Sequence, residues 1–152
     1  MKDIRRVVQW AVGALIVALV GIQLVPVDRI NPPTETEVPA SAQVRAVLRR
    51  ACYDCHSNET VWPWYSRVAP VSWLVADDVH EGREELNFST WNRYTAEQQR
   101  KKLNKSGEEV AEGEMPPRLY LPLHPDARLT ADDRALLRAW SQSLGSRESS
   151  GQ

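Results

Sequence analysis

The sequence predicts an all-α protein in which a single N-terminal transmembrane helix precedes one small helical domain. An apolar run dominates the first 25 residues, and three later segments carry apolar residues at helical spacing. No stretch alternates between polar and apolar residues without a proline breaking it, which argues against strands. We therefore expect a membrane anchor at 1–25, a Pro-rich tether at 26–40, a helical domain at 41–145 and a polar tail at 146–152.

The apolar run, from Val7 to Val25, is long enough to cross a membrane. It would form about 28 Å of helix, which matches the hydrocarbon core of a bilayer. Only Gln9 and Gln23 interrupt it, and three cationic residues precede it at positions 2, 5 and 6. The cations predict that the rest of the chain lies on the non-cytoplasmic side, so the lipid bilayer is an expected partner. A cleaved signal peptide and a buried core helix are the alternatives, but the small-x-small site at 40–42 lies roughly fifteen residues too late for cleavage.

The first half of the domain is expected to contain two helices. Ser41 can cap a helix from Ala42 to about Ala51, and a second helix is expected from Pro70 to about Leu86. The apolar face of the first helix would consist of Val44, Val47, Leu48 and Ala51. The stripe of the second would consist of Val71, Leu74, Val75 and Val79.

The second half of the domain is expected to hold two further helices separated by a proline-rich loop. Thr95 and Gln98 resemble a capping box that opens a polar helix ending near Gly107, followed by a short acidic segment that ends at Gly113. Prolines make 118–129 a loop rather than a strand. The last helix is expected at 131–144, with Leu136, Leu137 and Trp140 facing inward.

The chemistry of the sequence is concentrated in Cys52-Tyr53-Asp54-Cys55-His56, which is CxxCH, the attachment signature for c-type haem. Two thiols about one helical turn apart can add to the two vinyl groups of the macrocycle, and the adjacent histidine can then ligate the iron. The sequence therefore predicts one haem c per chain, bound covalently at Cys52 and Cys55, with His56 as the proximal iron ligand.

Three other interpretations of the cysteine pair are possible. A local disulfide would close a very small loop and contribute little stability. A thioredoxin-like redox motif needs a preceding strand, whereas a helix is expected here. A zinc site would need a second pair of ligands, and His80 and His124 are not spaced as a pair.

The sixth coordination position of the iron has four candidate ligands: Met1, Met115, His80 and His124. Met1 would lie on the cytoplasmic side of the membrane. Met115 is followed by two prolines that would hold its thioether rigidly, so it is the expected distal ligand, with the two histidines as alternatives. His/Met ligation leaves no vacant site and raises the reduction potential, which suits electron transfer.

Composition adds two expectations. The net charge of −1 and the lack of an extended basic run exclude nucleic acid as a partner. Six tryptophans stand against a single phenylalanine, and we expect the aromatic group at 62–65 and Trp73 to line the haem or to fill the core.

The segment from Cys52 to Asn92, with Gly-Glu-Met-Pro-Pro at 113–117 and Tyr-Leu-Pro-Leu-His-Pro at 120–125, resembles the bacterial haem-binding-domain proteins. These are cytochrome-c-like, with a single CxxCH and an N-terminal membrane anchor. The resemblance covers nearly the whole chain. It implies a cytochrome-c-like fold whose first and last helices cross near the haem. It also implies thioether bonds at Cys52 and Cys55, with His56 as the proximal and Met115 as the distal iron ligand. The expected location is the bacterial inner membrane, with the haem domain facing the periplasm or cell exterior.

These observations favour a membrane-anchored monohaem c-type cytochrome that exchanges electrons with membrane or periplasmic redox proteins. The alternative is a haem-based sensor or ligand-binding module in which the distal ligand is displaced, and a peroxidase is a weaker one. Nothing in the sequence requires catalysis, so no catalytic residue is predicted.

Overall fold

The computed structural model describes residues 2–149, and over that range the chain is helical. The α-helices are α1 (Lys2–Ile22), α2 (Ala42–Ala51), α3 (Tyr53–His56), α4 (Val71–Glu85), α5 (Ala96–Glu112) and α6 (Ala131–Ser149). Short 3-10 helices lie at Trp64–Arg67, Trp91–Arg93 and Pro125–Ala127. Within the described range the β-pairing is an isolated bridge between Thr36 and Thr90, so the predicted all-helical fold is confirmed. Met1 and the end of the predicted tail, 150–152, lie outside the described residues.

Helix α1 coincides with the predicted membrane anchor. Over Asp3–Ile22 it is apolar enough to cross a bilayer, and the apolar side chains along it are exposed. It ends at Ile22, so the last three residues of the apolar run lie outside the helix. By length and composition α1 can therefore span a membrane.

The chain divides into two compact units. One consists of residues up to 30 together with 62–78, and the other of 31–61 together with the residues from 79 onward. The CxxCH motif and Met115 belong to the second unit, and α1 belongs to the first.

Helix α2 has the predicted bounds and the predicted buried face. The hydroxyl oxygen of Ser41 accepts a hydrogen bond from the backbone N–H of Val44 (3.3 Å), which satisfies one of the free donors of the first turn. The four residues on its apolar face, 44, 47, 48 and 51, are all buried. Burial of this face holds the helix against the core and brings the chain to Cys52 at its end.

The segment at 31–40 is extended, as expected, but it differs from a free tether because it belongs to the second unit and packs on the rest of that unit. The backbone N–H groups of Glu35 and Thr36 donate to the carbonyl of Ser89, and that of Val38 donates to the carbonyl of Phe88 (3.0 Å). Val38 is only 1% exposed and belongs to the core. Backbone pairing and burial of this side chain therefore fix the segment to the domain.

Helix α5 runs through Gly107, where we expected it to end. The capping box at Thr95 and Gln98 is present, and the helix ends at Gly113, whose φ of 81° suits glycine. Gly107 instead marks a close contact, since a Cβ at this position would lie 2.6 Å from the Oγ of Ser141 in α6. The packing of α5 against α6, rather than a helix break, accounts for this glycine.

Helix α6 closes the core of the second unit and extends beyond the predicted end at 144, to Ser149. Leu137 and Trp140 are buried in it, as predicted, and the indole N–H of Trp140 donates to the carbonyl of Pro39 (2.9 Å). The core cluster consists of Val38, Val44, Val47, Leu48, Tyr53, Leu86, Phe88, Trp91, Leu103, Val110, Leu137 and Trp140.

The apolar stripe predicted for α4 is wrong over its first half. Val79 is buried, but Leu74 is 64% exposed and Val71 is exposed as well. The expectation that these aromatic side chains fill the core is wrong for Trp64, which is 76% exposed, and for Trp73, which is exposed as well. Helical periodicity places such residues on one face but does not say whether another element covers that face.

Candidate functional site

The CxxCH motif forms a tight helical turn directly after α2. Cys52 ends α2 and precedes α3, and its carbonyl accepts hydrogen bonds from the backbone N–H groups of Cys55 (3.2 Å) and His56 (2.9 Å). The two cysteines are not joined by a disulfide. Burial raises the pKa of the Cys52 thiol to about 12, so this side chain is uncharged at neutral pH.

The ring of His56 is held by two backbone carbonyls from the end of α4 and the residue after it. Its Nδ1 lies 2.8 Å from the carbonyl oxygen of Gly82 and 3.0 Å from that of Leu86. Because carbonyl oxygens only accept, Nδ1 must carry the hydrogen, and Nε2 then keeps its lone pair in the neutral ring. Burial lowers the pKa of His56, and the two carbonyls partly oppose this, so the ring is neutral at pH 7. Nε2 is therefore the ring nitrogen that is chemically able to bind a metal ion.

Gly82 lets α4 approach the CxxCH turn closely enough for this hydrogen bond. A Cβ at position 82 would lie 2.7 Å from the carbonyl oxygen of Cys55 and 3.0 Å from the Cβ of the same residue. Any side chain here would force α4 away from His56. We did not predict a role for this residue from the sequence, although a glycine inside an apolar-periodic helix was a usable signal.

Arg83 hydrogen-bonds α4 to the segment that follows the CxxCH motif. Its Nε donates to the carbonyl of Ser57 (2.8 Å), and its Nη2 donates to the side-chain oxygens of Asn31 and Thr60, each at 2.8 Å. The hydroxyl of Ser57 in turn donates to the carbonyl of Tyr53 (2.7 Å). One guanidinium thus joins three segments around the turn.

A buried polar network supports the other side of His56. The side-chain amide of Asn87 donates to the side-chain oxygen of Asn58 (2.8 Å). The backbone N–H of Ser89 donates to the side-chain oxygen of Asn87 (2.9 Å), and the hydroxyl oxygen of Ser89 accepts from the backbone N–H of Asn58 (3.0 Å). Between them, the backbone N–H of Phe88 donates to the carbonyl of His56 (2.8 Å), and the Phe88 ring meets the imidazole edge-on at 6.2 Å between centroids. Both the main chain and the ring of His56 are therefore fixed.

Asp54, between the two cysteines, binds the loop that follows α5. Its Oδ2 accepts a hydrogen bond from the hydroxyl of Tyr120 (2.6 Å), and its Oδ1 accepts one from the backbone N–H of Val61 (2.9 Å). The ring of Tyr120 stacks on that of His124, with centroids 3.8 Å apart. The loop at 117–124 is thereby tied to the CxxCH turn.

Met115 lies just after Gly113, and its backbone N–H donates to the carbonyl of Glu109 (3.2 Å). Its side chain is half-buried and packs against the same core cluster as Cys52. The histidine alternatives are placed differently: His80 is exposed, with Nε2 3.2 Å from a carboxylate oxygen of Glu84, and His124 is engaged in the stack with Tyr120. Met115 thus packs on the hydrophobic core, whereas His80 is exposed and lies beside a carboxylate.

The structure gives no support to the zinc interpretation. Among the residues that it describes, no three His, Cys, Asp or Glu side chains are grouped closely enough to hold a metal ion. A structural zinc site would need four ligands.

Comparison with known proteins places the chain in a family. No curated protein and no solved structure matches it. The family model described as a haem-binding domain matches residues 17–143, which covers most of the chain and includes Cys52, Cys55, His56 and Met115. The chain therefore belongs to the haem-binding domain family.

Proposed function

We propose that this haem-binding protein is a membrane-anchored monohaem c-type cytochrome that transfers electrons through a covalently attached haem, whose iron His56 and Met115 would ligate. The observation that carries the proposal is the pair of carbonyl contacts at Nδ1 of His56. Metal-ligating histidines usually donate their other ring N–H to a carbonyl or carboxylate, which fixes the tautomer and makes the ligating nitrogen more basic. His56 has this arrangement within the CxxCH motif.

The residues around His56 fit a group attached at both cysteines. Cys52 and Cys55 would hold the haem by thioether bonds, and Nε2 of His56 and the thioether of Met115 would ligate its iron. Haem bound there would supply a reversible one-electron iron couple, with a potential raised by the methionine sulfur. The half-buried Met115 side chain, packed on the same core as Cys52, is suitably apolar for this role.

The chain's own contribution to electron transfer is to keep the ligands in place in both oxidation states. His56 is fixed by the carbonyls of Gly82 and Leu86, and the CxxCH turn is fixed by Arg83 and by the bond from Tyr120 to Asp54. Rigid ligands reduce the reorganisation that accompanies each electron transfer.

The membrane part of the proposal depends on α1 and the cationic residues before its apolar run. These residues, at positions 2, 5 and 6, favour an orientation with the start of α1 in the cytoplasm and the haem-binding domain in the periplasm or outside the cell. Membrane or periplasmic redox proteins are then the electron donors and acceptors. Alkaline phosphatase folds to its active form only in an oxidising compartment, so its fusion to the C-terminus of this chain should be active. An inactive fusion, together with activity of a cytoplasmic reporter fused at the same place, would refute the orientation.

The test of the haem assignment is an absorption spectrum of the full chain, produced together with a cytochrome c maturation system. We expect haem that stays with the denatured polypeptide, sharp bands in the reduced form, and a weak near-infrared band in the oxidised form from the sulfur–iron bond. Carbon monoxide should not bind readily. Ready binding would favour a sensor or ligand-binding module instead, and the lack of covalent haem would refute the c-type assignment.

Three variants separate the ligand roles. His56→Ala should prevent a stable low-spin haem, and Met115→Ala should abolish the near-infrared band and open the iron to carbon monoxide. His80→Ala is the matched control, since this exposed histidine should leave the spectrum unchanged. Retention of the near-infrared band in Met115→Ala would exclude methionine as the distal ligand.

A further inference from the structure

The first unit carries an exposed apolar surface in the segment after the CxxCH region. Residues 62–76 contain a single charged side chain, Arg67. Five large apolar side chains of the segment are exposed: Trp64 (76%), Leu74 (64%), Val68 (46%), Val71 (42%) and Trp73 (37%). We call these five residues the apolar surface. Exposed apolar side chains concentrated in one short segment indicate a contact with a protein or a membrane.

This surface is fastened to the end of α1 by specific hydrogen bonds. The side-chain amide of Gln23 donates to the carbonyl of Ala69 (3.1 Å), and the backbone N–H of Ala69 donates back to the side-chain oxygen of Gln23 (2.9 Å). Arg29 adds a bond from its Nη1 to the carbonyl of Ser66 (3.1 Å). The segment that carries the apolar surface therefore lies at the level of the last turn of α1.

We propose that the apolar surface inserts into the headgroup region of the bilayer, as a second membrane contact beside α1. The inference rests on the proposed membrane anchoring. If α1 spans the bilayer, its last turn lies at the membrane–water boundary, and the residues bonded to Gln23 and Arg29 lie there too. Tryptophan is enriched at this depth because its ring is apolar and its N–H is polar. An amphipathic segment gains stability there by burying its apolar side chains at the acyl boundary.

The distribution of charge along α4 agrees with a lipid rather than a protein as the occupant. The first turns of the helix are uncharged, and Asp77 and Asp78 are its first ionisable side chains. Both are exposed, which suits residues that project beyond the interface into water. Arg67, exposed in the middle of the segment, is placed to meet lipid phosphates. The segment that carries the surface is also hydrogen-bonded to Gln23 at the end of the span. This position favours contact with the same bilayer, whereas binding of a separate protein would not depend on it.

The second unit offers an internal control for exposure alone. Leu119 is 93% exposed and Leu123 is 62% exposed, but neither belongs to the unit that contains α1. If exposure were sufficient for contact with lipid, these residues would react with a membrane probe as strongly as the apolar surface.

The experiment is photolabelling of the full-length haem-loaded protein in phosphatidylcholine/phosphatidylglycerol vesicles that contain a lipid-borne carbene precursor. Trypsin then releases three informative peptides: 7–29 from the span, 68–83 from the apolar surface and 119–128 from the control loop. We expect strong label on 7–29, and label on 68–83 several-fold above that on 119–128. Leu74→Asp should lower the label on 68–83 without changing the haem spectrum, and Leu119→Asp should change neither.

The outcomes distinguish the two proposals. If peptide 7–29 is labelled but peptide 68–83 carries no more label than peptide 119–128, the interfacial contact is overturned and the membrane anchor stands. Lack of label on 7–29 would refute the anchoring itself, and the contact with it. Undiminished label on 68–83 in Leu74→Asp, and again in Val71→Asp, would show that the apolar surface is not what meets the lipid.

Discussion

Replacing Gly82 by alanine should weaken the fold at the point where α4 contacts the CxxCH turn. The new methyl group would lie 2.7 Å from the carbonyl oxygen of Cys55, a backbone atom that cannot turn away. Either α4 or the turn must move, and the hydrogen bond from Nδ1 of His56 to the carbonyl of residue 82 (2.8 Å) must lengthen with it. The variant therefore tests packing and ligand orientation together.

The magnitude follows from two opposing terms. Overpacking usually costs about 1–3 kcal/mol, whereas alanine is a better helix former than glycine by about 1 kcal/mol. The net loss in the free energy of unfolding should therefore be up to about 2 kcal/mol. For a domain of this size each kcal/mol corresponds to a fall in Tm of about 4–8 °C.

Gly107→Ala is the matched control, because this glycine also lies inside a helix. Its new methyl group would meet the Oγ of Ser141 at 2.6 Å, but that hydroxyl can rotate away and lose only its bond to the carbonyl of Arg138. Such a bond contributes about 1 kcal/mol, which the gain in helix propensity offsets. Gly107→Ala should therefore be close to neutral, and the difference between the two variants measures the clash at the CxxCH turn.

The assay is guanidinium unfolding of the haem-loaded full chain in detergent, followed by far-UV circular dichroism and by the haem Soret band. Gly82→Ala should unfold at lower denaturant than Gly107→Ala and should show an altered haem spectrum under native conditions. Equal midpoints with identical spectra would refute the argument that close approach at residue 82 holds the histidine.

Three further predictions concern other parts of the second unit. Val38→Ala should lower the free energy of unfolding by about 2 kcal/mol, because it removes two buried methyl groups from the segment that docks on the core; an unchanged unfolding midpoint would mean that this segment behaves as a free tether. Asn87→Ala should cost about 2–3 kcal/mol in the same assay, since it leaves the buried side-chain oxygen of Asn58 without its donor, and a neutral result would contradict the network. Hydrogen bonds from the Arg50 side chain and from Thr130 hold the pKa of Asp133 at about 2, below the ordinary value of 3.8. Stability from the ionised carboxylate is therefore present above about pH 4 and lost as the pH falls toward 2. Because this is a surface ion pair, the effect should stay within about 1 kcal/mol. Asp133→Asn should flatten the pH dependence of unfolding in that window, and an identical pH profile would contradict the shift.

Local sequence signals were sufficient where the deciding interactions lie within a few residues. The Ser41 cap, the buried face of α2 and the capping box at Thr95 are interactions across one helical turn, so their patterns could be recognised directly. The αL glycine that ends α5 is of the same kind. The CxxCH motif is also local, because one turn of chain carries both thiols and the histidine.

Errors arose where the deciding partner lies far away in the sequence. Gly107 was expected to end a helix, but its role depends on Ser141 in α6. The first half of the α4 stripe was expected to be buried, yet nothing in a periodic pattern reveals whether a second element covers it. The segment at 31–40 looked like a tether because its pairing with 88 and 89 cannot be read from its own residues.

The sequence by itself determined the helical class, the apolar helix at the N-terminus and the residues that form the haem-attachment motif, because composition, periodicity and short spacings are properties of neighbouring residues. Only the tertiary structure decided which tautomer His56 adopts, because that depends on the carbonyls of Gly82 and Leu86, which lie 26 and 30 residues away in the chain. It likewise decided that Gly82 is a contact point and that the surface around Leu74 stays uncovered, since close approach and exposure are set by the arrangement of whole elements.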